Sequence, residues 1–162
     1  PDRLPRFFEA LRAGFDVVLI DGLRNFSDLA VSVMDEADVV TMVLTQDIPA
    51  VRSARKALKL FQRLGYDSAK GRVVLNRFHK RAMISDAVIE DHLGVMLTSR
   101  LPNDFKFVSR ALAEGELLHV LNPKHPFTLA IDELAAQLVG YEHQPKRGGG
   151  LLNKLTSMIK RS

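Results

Sequence analysis

Polar side chains stand directly behind four apolar runs of this chain. They are Asp21 after "DVVLI", Thr45 to Asp47 after "VVTMVL", Asn76 and Arg77 after "GRVVL", and Pro102, Asn103 and Asp104 after "SRL". A carboxylate closing a buried strand can hold a magnesium ion, commonly through water, or simply start a turn. An asparagine in such a place is either a turn residue or an amide whose paired donor and acceptor recognise a base edge. The histidines at 79, 92, 119, 125 and 143 form no i, i+4 pair and no cluster with carboxylates at ligand spacing, so they are assigned no metal. No G-x-S-x-G elbow is present to raise a serine nucleophile.

Those positions acquire meaning from the elements that carry them. "LPRFFEALRAG" has apolar residues at helical spacing and stops on Gly14; "DVVLID" is apolar on both faces, the pattern of a fully buried parallel strand. A helix over "FSDLAVSVMDEA", with Ser27 as its cap, leads to a second buried strand in "DVVTMVLT". "PAVRSARKALKLFQRLG" is a longer helix with Pro49 in its first turn and Gly65 closing it. "GRVVLNRF" is the third strand, "ISDAVIEDHLG" a helix capped by Ser85, and "VMLTSRLP" a short apolar piece. Helices over roughly 105–115 and 126–139 complete the body. Short apolar strands alternating with helices predict an α/β fold with a mostly parallel sheet covered on both faces. Four strands are few for that architecture, so the sheet is expected to be incomplete. Ligands of such sheets bind beyond the carboxyl ends of the strands, where the polar positions fall.

Composition narrows the class. With 162 residues, 46% of them hydrophobic, the chain can bury one core, and the lack of cysteine excludes a disulfide framework. Apolar runs are too short to span a bilayer, and the start, Pro1 followed by Asp2 and Arg3, is not that of a signal peptide. A start on proline is read as a fragment or processed chain. Of the basic residues, Lys146, Arg147, Lys154, Lys160 and Arg161 follow the last acid, Glu142; the rest of the chain holds 18 basic against 19 acidic residues. The net charge of +4 therefore belongs to the tail.

The order of the pieces resembles the MinD/ParA group of P-loop ATPases, and within it is most similar to CpaE/TadZ, the pilus-assembly ATPases of tight-adherence (Flp) pili. The similarity covers roughly residues 4–139 and rests on a strand ending in Asp, a strand followed by "TQDIPAVRSARKAL", then "VVLNRF" and "LPNDFKFVSRALAEGELL". It implies a P-loop NTPase fold, ATP and Mg²⁺ as ligands of the full-length protein, and a homodimer with nucleotide at its interface. Asp21 matches the Walker B aspartate acting on Mg²⁺ through water. Asn76 matches the asparagine contacting adenine, with Arg77 beside it, and Pro102, Asn103 and Asp104 match the loop that closes over the base by main-chain contacts. Pilus-assembly machinery is the implied partner. Two positions depart from the pattern: the chain reads Asp21-Gly22-Leu23-Arg24-Asn25 where the family has Asp-x-Pro and a glycine, and Ala54-Arg55-Lys56 where MinD has "VRD". No G-x-x-x-x-G-K-[ST] occurs anywhere, so the chain alone is expected neither to hold ATP well nor to hydrolyse it, and no catalytic residue is assigned. The reading is a C-terminal portion, residues 1–141, of a domain whose phosphate loop lies upstream.

Residues 142–150 read as a basic, glycine-containing linker, and 151–162 as a short amphipathic helix. Leu151, Leu152, Leu155, Met158 and Ile159 occupy an arc of about 120°, with Lys154 at its flank and Lys160 and Arg161 on the polar face. Such a helix suits an anionic membrane surface, the alternative being protein docking or disorder. It places the protein in the cytoplasm, peripheral at the inner face of the cytoplasmic membrane. Two functions compete with the pilus reading: a ParA-like DNA- or cargo-partitioning ATPase, disfavoured by the near-neutral body, and a nucleotide-free scaffold.

Overall fold

The computed structural model of the chain describes residues 3–23 and 26–140. The predicted linker and amphipathic helix, 142–162, lie outside the described residues.

Helix α1 (Arg3–Gly14) is followed by α2 (Asp28–Glu36), β1 (Val40–Leu44), α3 (Ile48–Arg63), β2 (Gly71–Phe78), α4 (Asp86–Leu93) and β3 (Ser99–Pro102). Then come α5 (Phe105–Glu114), the single-turn α6 (Leu118–Leu121), which the periodicity does not announce, and α7 (Pro126–Val139). The strands form one sheet in the order β1-β2-β3, and both pairings are parallel. Register runs from Val40 opposite Gly71 to Leu44 opposite Leu75, then from Val74 opposite Ser99 to Phe78 opposite Pro102.

Local chemistry sets the helix ends. Ser27, Ser85 and Asp47 each accept from the backbone N–H three residues on, that is from Ala30, Val88 and Ala50. Each such cap contributes about 1 kcal/mol. Gly94 and Gly140 close α4 and α7 at φ of 72° and 74°, a left-handed turn that costs other residues a Cβ clash.

Side-chain alternation along β2 divides the core. Val73 and Leu75 face α3 and α4, where Leu44, Val51, Ala54, Ile89, Leu93 and Leu97 surround them. Val74, between them, faces the other way onto Leu101, Phe127, Phe107 and Ile131. Helices thus cover both faces of the central strand, as expected for a parallel sheet.

Two expectations fail. "DVVLID" is not a buried strand: residues 15–23 form no ladder, and Val17 and Leu19 are 58% and 88% exposed. A parallel strand is held by hydrogen bonds to its neighbours, and among the described residues no strand lies beside this segment. The sheet therefore has three strands rather than four. Strand β1 is covered on one face only, with Leu44 buried and Thr41 and Val43 exposed. The helices of the second face pack on β2 and β3 and leave that side of β1 uncovered.

Candidate functional site

Because the strands are parallel and adjacent in register, their carboxyl ends lie on one rim. Past β1 come Thr45, Gln46 and Asp47. The Thr45 hydroxyl donates to Asp47 Oδ2, and Asp47 Oδ1 accepts from Ala50 N–H at 2.8 Å. These two bonds, the hydroxyl first, hold the Asp47 carboxyl below its ordinary range. Gln46 bridges to the neighbouring loop: its Oε1 accepts from His79 N–H at 2.6 Å and its Nε2 donates to the Ile84 carbonyl at 3.1 Å. One amide thereby fastens the exit of β1 to the segment behind β2.

At the exit of β2, Asn76 is half-buried and Arg77 exposed. Arg77 is the non-glycine residue with positive φ, 54°, among the described residues. A left-handed arginine costs about 1–2 kcal/mol, and the backbone around it explains what sustains it. Pairing of β2 with β3 is irregular between Leu75 and Phe78, where it resumes opposite Pro102. The Asn76 side chain closes back on its successor, Oδ1 accepting from Arg77 N–H at 2.8 Å. This bulge turns Asn76 and Arg77 relative to the regular alternation, a device common beside functional sites. Arg77 in the bulge and Lys80 and Arg81 behind it are exposed and form no ion pair among the described residues, which leaves three cations at this exit against Asp47 and Asp104 at the neighbouring ones.

At the exit of β3, Pro102 is half-buried, Asn103 exposed and Asp104 half-buried. Asn103 N–H donates to the Phe78 carbonyl at 3.0 Å, binding this loop to β2 directly. Asp104 caps α5, its Oδ1 accepting from Phe107 N–H at 2.9 Å. Its second oxygen faces His125 Nε2 at 3.4 Å.

The structure thus brings Asn76, Arg77, Pro102, Asn103 and Asp104 together along two hydrogen-bonded strands. Asp21 is placed elsewhere: it sits on the exposed segment outside the sheet, with Oδ1 accepting from its neighbour Gly22 N–H at 2.7 Å. Its other carboxylate oxygen has no hydrogen-bond partner among the described residues. Among the described residues no group of three or more His, Asp or Glu side chains gathers as a metal site.

Sequence reasoning assigned no role to Gln46 or His125. Gln46 is marked locally only as one of the polar positions behind "VVTMVL"; its partners are 33 and 38 residues away. For His125 a signal existed: Pro126 opens a helix, which makes the preceding residue its cap.

No protein-family model matches the chain. It is 28% identical over 149 residues to the uncharacterized ATP-binding protein MJ0547 of Methanocaldococcus jannaschii, covering 91% of this chain and 56% of the relative. It is likewise 28% identical over 149 residues to the septum site-determining protein MinD of Bacillus subtilis, covering 86% and 53%. Among solved structures, MinD of Pyrococcus horikoshii complexed with Mg-ADP superposes with a TM-score of 0.68 at 22% identity, over 84% of this chain and 55% of that one. The chain therefore spans about half the length of the curated relatives it matches.

Proposed function

With the MinD/ParA-type P-loop ATPase family supported by sequence relatives and structural neighbours, we propose that this chain is the C-terminal part of such an ATPase domain and supplies the base-binding half of its nucleotide cleft. The observation that carries the reading is the common rim: parallel β2 and β3 deliver Asn76 and the Pro102–Asp104 loop side by side, linked by the Asn103 to Phe78 hydrogen bond. In this reading the Asn76 amide recognises the adenine edge, for which its Oδ1 must exchange the local Arg77 N–H contact. Arg77 adds positive charge nearby, and the loop main chain covers the base. Mg²⁺, when bound, would supply charge neutralisation for the phosphates, and Asp21 is the residue of this chain proposed to hold it.

Within the family the CpaE/TadZ type is the proposed branch, giving a role in assembly and localisation of tight-adherence pili. The protein then acts as a cytoplasmic homodimer, peripheral at the inner membrane face through residues 151–162. Basis for the branch is the run "VVLNR…LPND…VSRA", and for the membrane contact the apolar stripe with Lys154 at its flank and Lys160 and Arg161 on the polar face.

Nucleotide binding by the full-length polypeptide tests the core of the reading. Asn76→Ala is expected to weaken ATP binding about tenfold, the equivalent of about 1.4 kcal/mol, as expected for one or two lost hydrogen bonds to the base. No ATP binding by the parent would favour a nucleotide-free scaffold. Flotation with anionic liposomes tests the tail: deletion of residues 148–162 should abolish it, and undiminished flotation rejects the membrane contact.

A further inference from the structure

Two helix caps touch each other behind the β3 exit. Asp104 caps α5 with Oδ1 and presents Oδ2 to His125 Nε2 at 3.4 Å. His125 caps α7, its Nδ1 accepting from Phe127 N–H at 3.2 Å. An Nδ1 that accepts carries no proton, which in the neutral ring puts the proton on Nε2, the nitrogen facing the carboxylate. Phe107 lies flat against the same imidazole, ring centroids 3.6 Å apart and planes 16° from parallel. The imidazole is consequently held on three sides, by its own helix start, by Asp104 and by a ring of α5. The Pro102–Asp104 loop is in turn pinned at two points, at Asn103 by the Phe78 carbonyl and at Asp104 by His125.

We propose that His125 is a positioning residue for base selection: through Asp104 it fixes the Pro102–Asp104 loop, so that the loop main chain covers the base in the one position where Asn76 meets its edge. This rests on the nucleotide reading above. Main-chain recognition tolerates little displacement, because a peptide group shifted by a fraction of an ångström trades a good hydrogen bond for a poor one. In the nucleotide reading the phosphates are held by a loop other than Pro102–Asp104, so loosening this one should erode base discrimination while sparing phosphate affinity.

The experiment uses the full-length polypeptide, with ATP, GTP and inorganic tripolyphosphate as probes. His125→Asn retains a side-chain acceptor for the α7 cap, since asparagine is among the best cap residues, but loses the ring and the reach to Asp104. It is expected to lower the ratio of ATP to GTP affinity about fivefold to tenfold, the range of one weakened hydrogen bond, with tripolyphosphate affinity as in the parent. Asp104→Asn keeps the α5 cap and sets an amide N–H against the Nε2–H. It should lower the ratio similarly, and the double variant should fall no further than either single one. Should His125→Asn fail to fold, Asp104→Asn and its ratio decide the matter. A parental ratio in His125→Asn, or a ratio that falls only together with tripolyphosphate affinity, overturns the proposal. A parent that binds ATP and GTP equally overturns this inference alone, whereas a parent that binds neither overturns the nucleotide reading with it.

Discussion

Arg100→Met probes the contact that fastens α4 to β3. The guanidinium reaches two acids of α4: Nε meets Asp86 Oδ2 at 2.6 Å and Nη2 meets Glu90 Oε1 at 2.9 Å. Glu90 Oε1 also accepts from Leu97 N–H at 2.8 Å, tying in the turn that precedes the strand. The two legs differ in worth because they differ in exposure. Arg100 and Asp86 are each about a third exposed, at 32% and 33%, so their leg falls near the surface range of about 0.2–1 kcal/mol. Glu90 is 14% exposed, and losing its charged partner there falls in the range of about 1.5–3 kcal/mol. Together the substitution should cost about 2–4 kcal/mol, or about 5–15 °C in melting temperature for a chain of this size. Arg110→Ala is the control: its i, i+4 partner Glu114 and Arg110 itself are 44% and 66% exposed, and the loss should be at most about 0.5 kcal/mol. Urea titration of the three proteins measures both. The sign with pH is also set, because the Arg100 hydrogen bond, the leading cause, holds the Asp86 carboxyl below 3.8. A depressed acid contributes stability above its unfolded value and loses it as pH falls through the folded one. The gap between parent and Arg100→Met should accordingly narrow in strong acid. A loss no larger than that of Arg110→Ala, or a gap that widens in acid, would refute the argument.

Two further outcomes are expected. Ile89, fully buried between Leu75, Val51 and Leu93, should cost about 2–5 kcal/mol as Ile89→Ala and about 0.5–1.5 kcal/mol as Ile89→Val, read by the same titration. Tyr66 donates to Asp35 Oδ1 at 2.6 Å, and partial burial followed by that carboxylate raises its phenol from 10.0 to about 12. A group with a raised folded value contributes stability below its unfolded value and loses it as pH climbs through the folded one. Phenolate absorbance should therefore show a tyrosine titrating near pH 12 in the folded protein, and Tyr66→Phe should flatten the loss of stability between pH 10 and 12.

Much of the fold is written in local pattern. "GRVVLNRF" is β2 from end to end, and Ser27, Ser85, Gly94 and Gly140 stop and start helices where their own chemistry dictates. The polar residues behind "VVTMVL", "VVL" and "SRL" could be placed at strand ends because the period of each apolar run is local information. "DVVLID" shows the limit of that information. Its six residues have the pattern of a buried strand, yet a strand exists only where a neighbour supplies the ladder, and residues 15–23 are exposed instead. Likewise the one-sided burial of β1 follows from which helices reach it, which no residue of β1 encodes.

The sequence by itself determined the alternation of elements, the helix caps and the polar residues at strand ends, since each depends on side chains within a few positions of one another. Tertiary structure alone decided that β2 and β3 run parallel in a register joining Asn103 to Phe78, that Gln46 clasps the next loop, and that His125 reaches Asp104. Those contacts join residues 21 to 38 positions apart, and chain separation of that order carries no periodic signal: only closing the sheet and packing its helices brings such groups within hydrogen-bonding or charge range.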